Sequence, residues 1–410
     1  MNVEIPPFKR LAAALRKTTE HLARELVRSS DAPPDWTELE WAIARSVAAM
    51  QGTSTLLANN LRWRGPPAWQ LFLAEQSEQS VLRDARIGEL LQRLDAATQH
   101  AEIGCIALKG AALRALGLYR PGERPMGDVD LLVRRASDLP SAEAVMRAVQ
   151  YREAYTTQRH AIYEPERKAV VHDLGEHVDN PLRIEIHTEV SEPLPVRMVD
   201  ITPRLQPVNA QLGLNAYPST AALMLHLLLH AAGNMLAHAV RQIQLHDIAQ
   251  LARRLTGGDW HTLIATPRRE EKLWWAFAPL ALTERYYPGS IPPEILRELR
   301  VPCPLQLRLA IARDTLTDVS WSNLRIHAFP GIAWSRTPVE ALRYVRSRVV
   351  PSRKSMADLQ ACVQAAPQLN RIPWYGIPHH KRIARWLFSH PPRVQTMMSV
   401  AAALETESAR

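Results

Sequence analysis

The chain has 410 residues with 46% hydrophobic and 22% charged side chains, an ordinary globular composition long enough for one large domain or two to three smaller ones. Cys105, Cys303 and Cys362 are scattered without a CxxC pair, which excludes a disulfide framework and a cysteine zinc site and points to a reducing, cytoplasmic setting. The net charge of +9 is carried mainly by dispersed arginines and suits phosphate-rich partners such as nucleotides, RNA or an anionic membrane surface, or else a simply arginine-rich chain.

The N-terminus lacks the charged and apolar regions of a secretory signal. Residues 1–98 carry apolar side chains at helical spacing, interrupted by "DAPPDW". The pattern then changes. "GCIAL" at 104–108 reads as a short buried strand, and "GAALRALG" at 110–117 as a helix ending at Gly117. A loop follows, and a strand starts at Asp128. Residues 137–150 predict a helix capped near Ser137 or Asp138. "REAYT", "HAIYEP", "KAVVHDL" at 168–174 and "LRIEIHTEV" are β-rich runs. From Tyr217 the helical period returns, with Ser219 or Thr220 as N-cap. Its most apolar run, 221–240, holds three histidines and an asparagine, so a buried helix is expected and not a membrane span. The C-terminal third is helical with proline breaks, and Thr337 with Glu340 predicts a capping box. The expected fold is α+β: a small mixed or antiparallel sheet flanked by N-terminal and C-terminal helical regions. The expected divisions are 1–98, 99–200, 201–260 and 261–410.

The chemistry centres on "RPMGDVDLLV", residues 124–133. On a strand, Asp128 and Asp130 point to one face about 7 Å apart. They repel by roughly 2–3 kcal/mol at an effective dielectric near 20. A divalent magnesium ion bound by both would remove that repulsion; the bland reading is a solvated strand end with two free acids. Glu185, between Ile184 and Ile186, adds a third acid on the polar face of another strand. Lys109 and Gly110 stand where a strand passes into a helix. That is a position suited to phosphate, though a glycine there is commonly just a turn. Three carboxylates near such a turn could hold two magnesium ions roughly 3.5–4 Å apart, with manganese as an alternative.

These residues resemble the polymerase-β-like nucleotidyltransferase superfamily. More closely they resemble an uncharacterised bacterial nucleotidyltransferase family with an LKG turn, a tyrosine loop, R-x-x-x-D-h-D (h apolar) and an acid-h-His strand. The matching residues are Leu108-Lys109-Gly110, Tyr119, Arg124 with Asp128-Val129-Asp130, and Glu185-Ile186-His187. The resemblance covers 100–190 and extends more loosely to His230, Arg241 and Asp247. The wider superfamily has Gly-Ser where this chain has Lys109-Gly110.

The resemblance implies transfer of a nucleoside monophosphate from an NTP to an acceptor, with pyrophosphate leaving. Asp128, Asp130 and Glu185 would be the metal-binding and catalytic acids. Lys109, Gly110, Arg124 and Arg241 would bind the nucleotide, with Arg241 directed from helices that wall the cleft. The acceptor class stays open among small molecule, peptide, protein and RNA. A D-x-D glycosyltransferase and a non-catalytic nucleotide or RNA binder are the alternatives. A phosphatase of the haloacid-dehalogenase type fits less well, because Leu132 stands at the position of its threonine. His226 and His230, spaced i, i+4 without an HExxH motif, read as core histidines, and His187 as a ligand-orienting or core residue. Residues 378–390 read as a basic helix, either packed with a solvated face or touching an acidic surface.

Overall fold

In the computed structural model, residues 5–408 are described except 158, 168–170, 173, 266–271, 366–375 and 390. Four helices come first: α1 Phe8–Val27, α2 Glu38–Gln51, α3 Ser54–Asn60 and α4 Pro67–His100. The α/β unit follows as β1 Gly104–Ala107, α5 Lys109–Ala115, β2 Asp128–Val133, α6 Leu139–Ala148, β3 Tyr151–Thr156, β4 His160–Pro165 and β5 Arg183–His187. Short strands β6 Ser191–Pro193, β7 Met198–Asp200 and β8 Gly213–Asn215 surround α7, Thr202–Leu205. Then come α8 Thr220–Leu236, α9 Gln242–Ala252 and a run of further helices to residue 408. The architecture is α+β with helical flanks.

The sheet is mixed, in the order β3-β4-β5-β2-β1-β8. β2 runs antiparallel to β1 and parallel to β5, with Asp130 opposite Glu185. β2 is buried on both faces beyond its first residue, which explains its continuous apolar run. Val129, Leu131 and Val133 meet Ile87, Leu90 and Leu94 of α4 and Val145 and Met146 of α6. On the other face, Leu132 and Ile106 join the cluster containing Leu225 and Leu228 of α8. Asp128 and Asp130 share that second face with Leu132, since strand side chains alternate. The apolar packing stops at Leu132 and a cleft begins.

The N-terminal helices build their own core around Leu15, Ile43, Val47, Trp63 and Trp69. It extends to Ile243 of α9 and Val400 of the last helix, Val394–Ser408.

Several local expectations hold. Ser219 caps α8 by accepting from the Ala222 N–H at 3.1 Å, and Gly117 takes a φ of +61° after α5. Others need correction. A 3-10 turn at Ala136–Asp138 precedes α6, and Asp138 makes no cap hydrogen bond. Its carboxylate instead pairs with Arg135 at 3.1 Å. Thr337 does accept from the Glu340 N–H at 3.2 Å. The Glu340 carboxylate, however, takes the Arg336 N–H and Arg197, so the box is only half made. The run at 168–174 lies largely outside the described residues; Val171 and His172 have no regular structure. Residues 378–390 contain a helix, His379–Phe388, with Arg382 buried and Phe388 at 85% exposure; residue 390 lies outside the described residues. No helix among the described residues is long and apolar enough to cross a membrane.

Candidate active site

The cleft forms where β2 and β5 emerge from under α8. Register does the assembly. The parallel pair sets Asp130 beside Glu185, and Asp128 lies two residues earlier on the same face. All three acids therefore face one space.

Lys109 supplies the counter-charge that the sequence lacks between the acids. β1 ends with the Leu108 N–H donating to the Asp130 carbonyl at 2.9 Å. The chain then turns through a φ of +44° at Lys109, a region that side-chain-bearing residues rarely adopt. The turn carries its Nζ to 2.7 Å from Asp130 Oδ1. The Lys109 N–H donates to the Tyr217 hydroxyl at 3.2 Å, and that hydroxyl also shares a 2.6 Å hydrogen bond with His226 Nδ1. His187 Nε2 reaches Asp130 Oδ1 at 3.0 Å and Glu185 Oε2 at 3.6 Å.

The electrostatics separate the two aspartates. Burial acts to raise the Asp130 carboxyl, which is 3% exposed, but Lys109 and His187 outweigh it and hold the group well below the usual carboxylate range. Asp128 is open to solvent on one side and enclosed on the others. Desolvation, then the charges of Asp130 and Glu185, push its carboxyl up to about 6. Lys109 and Arg241 offset only part of this. On His187, burial favours the neutral ring, yet hydrogen bonds to Asp130 and Glu185 raise its pKa overall.

Arg124 and Gly110 act together. Arg124 makes a bidentate pair with Asp247, Nε to Oδ1 at 2.8 Å and Nη2 to Oδ2 at 2.7 Å. The Tyr119 hydroxyl donates to the same carboxylate at 2.7 Å. A Cβ on Gly110 would lie 2.8 Å from Arg124 Nη1 and 3.1 Å from Met126. The glycine therefore makes room for Arg124 and Met126, a role that its place between strand and helix did not signal.

Arg241 precedes α9. Its Nε donates to the Met50 carbonyl at 3.0 Å, which ties it to the end of α2. Among the described residues it has no carboxylate within ion-pair distance. Its guanidinium nevertheless feels Glu176, Asp128 and Asp247, while burial lowers its pKa. The partner of Asp247 is Arg124, so no Arg241–Asp247 pair forms.

Helix α8 forms the far wall. A cavity of about 190 Å³ is lined by Lys109, Glu185 and His187 on the sheet side and His226, His230 and Asn234 on the helix side. His226 is 3% exposed and His230 shares a 3.2 Å hydrogen bond with Asn234. Both are satisfied histidines at the cleft wall, and burial holds both rings neutral, His230 down to about 3.

Sequence reasoning passed over His160 and Tyr217. His160 lies directly opposite His187 on β4, with Nε2 4.0 Å from Glu185 Oε2. Nothing in "HAIYEP" marks it, because its importance comes from strand pairing across 27 residues.

The family described as "Uncharacterised nucleotidyltransferase" matches the chain over residues 37–288, a span that includes α2, the six-stranded sheet, α8, α9 and the helix Phe277–Tyr286. No curated protein and no solved structure matches.

Proposed function

The chain belongs to the uncharacterised nucleotidyltransferase family, and on that premise we propose that it moves a nucleoside monophosphate from an NTP to an acceptor group, releasing pyrophosphate. The observation that carries the reading is one sheet face bearing Asp128, Asp130 and Glu185 in register, with the Lys109 ammonium 2.7 Å from Asp130.

The donor set suits a divalent cation. Three carboxylates converge on one face, and desolvation, then the charges of Asp130 and Glu185, raise the Asp128 carboxyl. Asp128, Asp130 and Glu185 would hold magnesium or manganese, which would neutralise phosphate charge during transfer.

The chain's own groups supply the rest. In this arrangement Lys109 occupies Asp130, and its flexible side chain is long enough to turn to a phosphate. Arg241, without a carboxylate within ion-pair distance among the described residues, offers a second cation to the triphosphate. Arg124 contributes charge from a fixed position, because Asp247 holds it. Glu185 would take the acceptor's proton, with His187, 3.6 Å away, orienting it. Positioning and charge complementarity then account for catalysis. The helical region ahead of β1 differs from the large parallel sheet expected upstream of a D-x-D glycosyltransferase site, so that reading loses support.

The test is direct. Each NTP, labelled, is incubated with the protein, magnesium or manganese, and acceptors drawn from small alcohols, peptides, proteins and RNA. Metal-dependent pyrophosphate release is expected from the wild type and its loss from D128N/D130N. Equal release from a folded D128N/D130N variant would remove the site assignment. NTP binding without any release would favour a nucleotide-binding protein on this fold.

A further inference from the structure

We propose that His160, Glu185 and His187 form a transition-metal site on the acceptor side of the cleft, distinct in ligand chemistry from the aspartate pair. The proposal uses the orientation of Glu185 toward the cleft described above, but it does not require nucleotidyl transfer.

The geometry comes from two strands. β4 and β5 are antiparallel with His160 opposite His187, and opposed residues project to the same face. Glu185 lies two residues before His187 and shares that face. Glu185 Oε2 is 3.6 Å from His187 Nε2 and 4.0 Å from His160 Nε2. All three candidate ligand atoms lie within 4.8 Å of one another. A tetrahedral ion with bonds of about 2.1 Å separates its ligands by about 3.4 Å. Small side-chain rotations would close the difference.

The polar atoms are also short of partners. Among the described residues, no hydrogen bond reaches the His160 ring, and the Glu185 carboxylate meets only His187, at a long 3.6 Å, with His160 next at 4.0 Å. Side-chain exposures are only 19% at His160, 20% at Glu185 and 12% at His187. A half-sequestered imidazole without a hydrogen bond and a carboxylate with one long contact are unfavourable, and a cation held with His187 would satisfy both.

Ligand type decides the ion. Magnesium takes oxygen donors, whereas two imidazoles and one carboxylate favour zinc, cobalt, manganese or iron. Three protein ligands leave a coordination position free, as catalytic metal sites do. All three residues line the cavity beneath α8, so that position faces the space where an acceptor would sit.

The full-length protein, treated with chelator, would be titrated with cobalt(II) at neutral pH. One equivalent should bind with the strong visible absorption of a low-coordinate site. Zinc should displace it; a large excess of magnesium should not. H160A and H187A should weaken cobalt binding at least tenfold, as should H160Q, which better preserves volume if H160A folds poorly. H177A should bind as the wild type does. It removes a ligand from the other histidine–carboxylate group among the described residues, His172, His177 and Asp179. Failure of folded wild type to bind cobalt would overturn the proposal, as would wild-type affinity in H160Q or equal competition by magnesium. The transfer reading fails separately. D128N should lose pyrophosphate release while keeping cobalt binding. A wild type that binds cobalt but releases no pyrophosphate would sink the transfer reading alone.

Discussion

Lys109 has two roles that pull in different directions. Its backbone sits at a φ of +44°, where glycine is the undemanding choice, and its side chain neutralises a buried carboxylate. Removing the side chain leaves Asp130 with His187 alone. K109A should therefore lose stability as well as nucleotide affinity, by roughly 3 kcal/mol, the scale for breaking a buried pair from one side. Thermal unfolding should show most of that loss recovered in K109A/D130N, where nothing charged is left stranded; no recovery would mean the pair is not the cause. The acids themselves were legible in the sequence because two-residue spacing and an acid inside a two-sided apolar strand are local facts. The partners were not. Lys109 meets Asp130 across 21 residues, and Arg124 meets Asp247 across 123. Short motifs carry no record of such pairings.

At the scale of elements, α4 acts as a rail for the cleft. Its Arg83 donates from Nη1 to the carbonyls of His177 and Asn180 at 3.0 and 2.8 Å, and from Nη2 to that of Met126 at 3.1 Å. It also pairs with Glu176 at 2.8 Å, and Gln76 exchanges hydrogen bonds with the Glu176 backbone. One side chain thus fixes the loop at 174–180 and the approach to Asp128. R83A would strand Glu176 and three carbonyls, at a cost of about 3 kcal/mol or more. Hydrogen exchange across 174–180 should rise in R83A, with nucleotide binding weakened as well. Protection equal to the wild type would show that the loop holds without Arg83. Helical periodicity revealed α1, α2, α4 and α8 because each buries a broad face. β6, β7 and β8 escaped because three residues carry no readable alternation, and β8 gains its place only by pairing with β1.

For the whole molecule, acid is the informative stress. His246 is 7% exposed, with ring contacts to Tyr119 and Tyr287, and burial pushes its pKa down to about 4. The unfolded chain takes up a proton near pH 6.5, whereas the folded one refuses it until about pH 4. This contribution is complete above pH 6.5 and lost as pH falls to about 4, a change of about 3 kcal/mol. H246F should flatten that part of the pH profile in urea unfolding between pH 7 and 4.5; a parallel profile would assign the acid sensitivity elsewhere. The packing of α2 bears on how the chain is made. Arg45 Nη2 donates to the Ala403 carbonyl at 3.1 Å, and Ser46 bonds Ser399 at 3.0 Å across 353 residues. At roughly 5–20 residues per second, the last helix leaves the ribosome some 20–70 s after α2. For that interval the nascent chain presents the α2 surface without its cover, so the cell's holding chaperones have a defined target that disappears once the helix at Val394–Ser408 has emerged and docked.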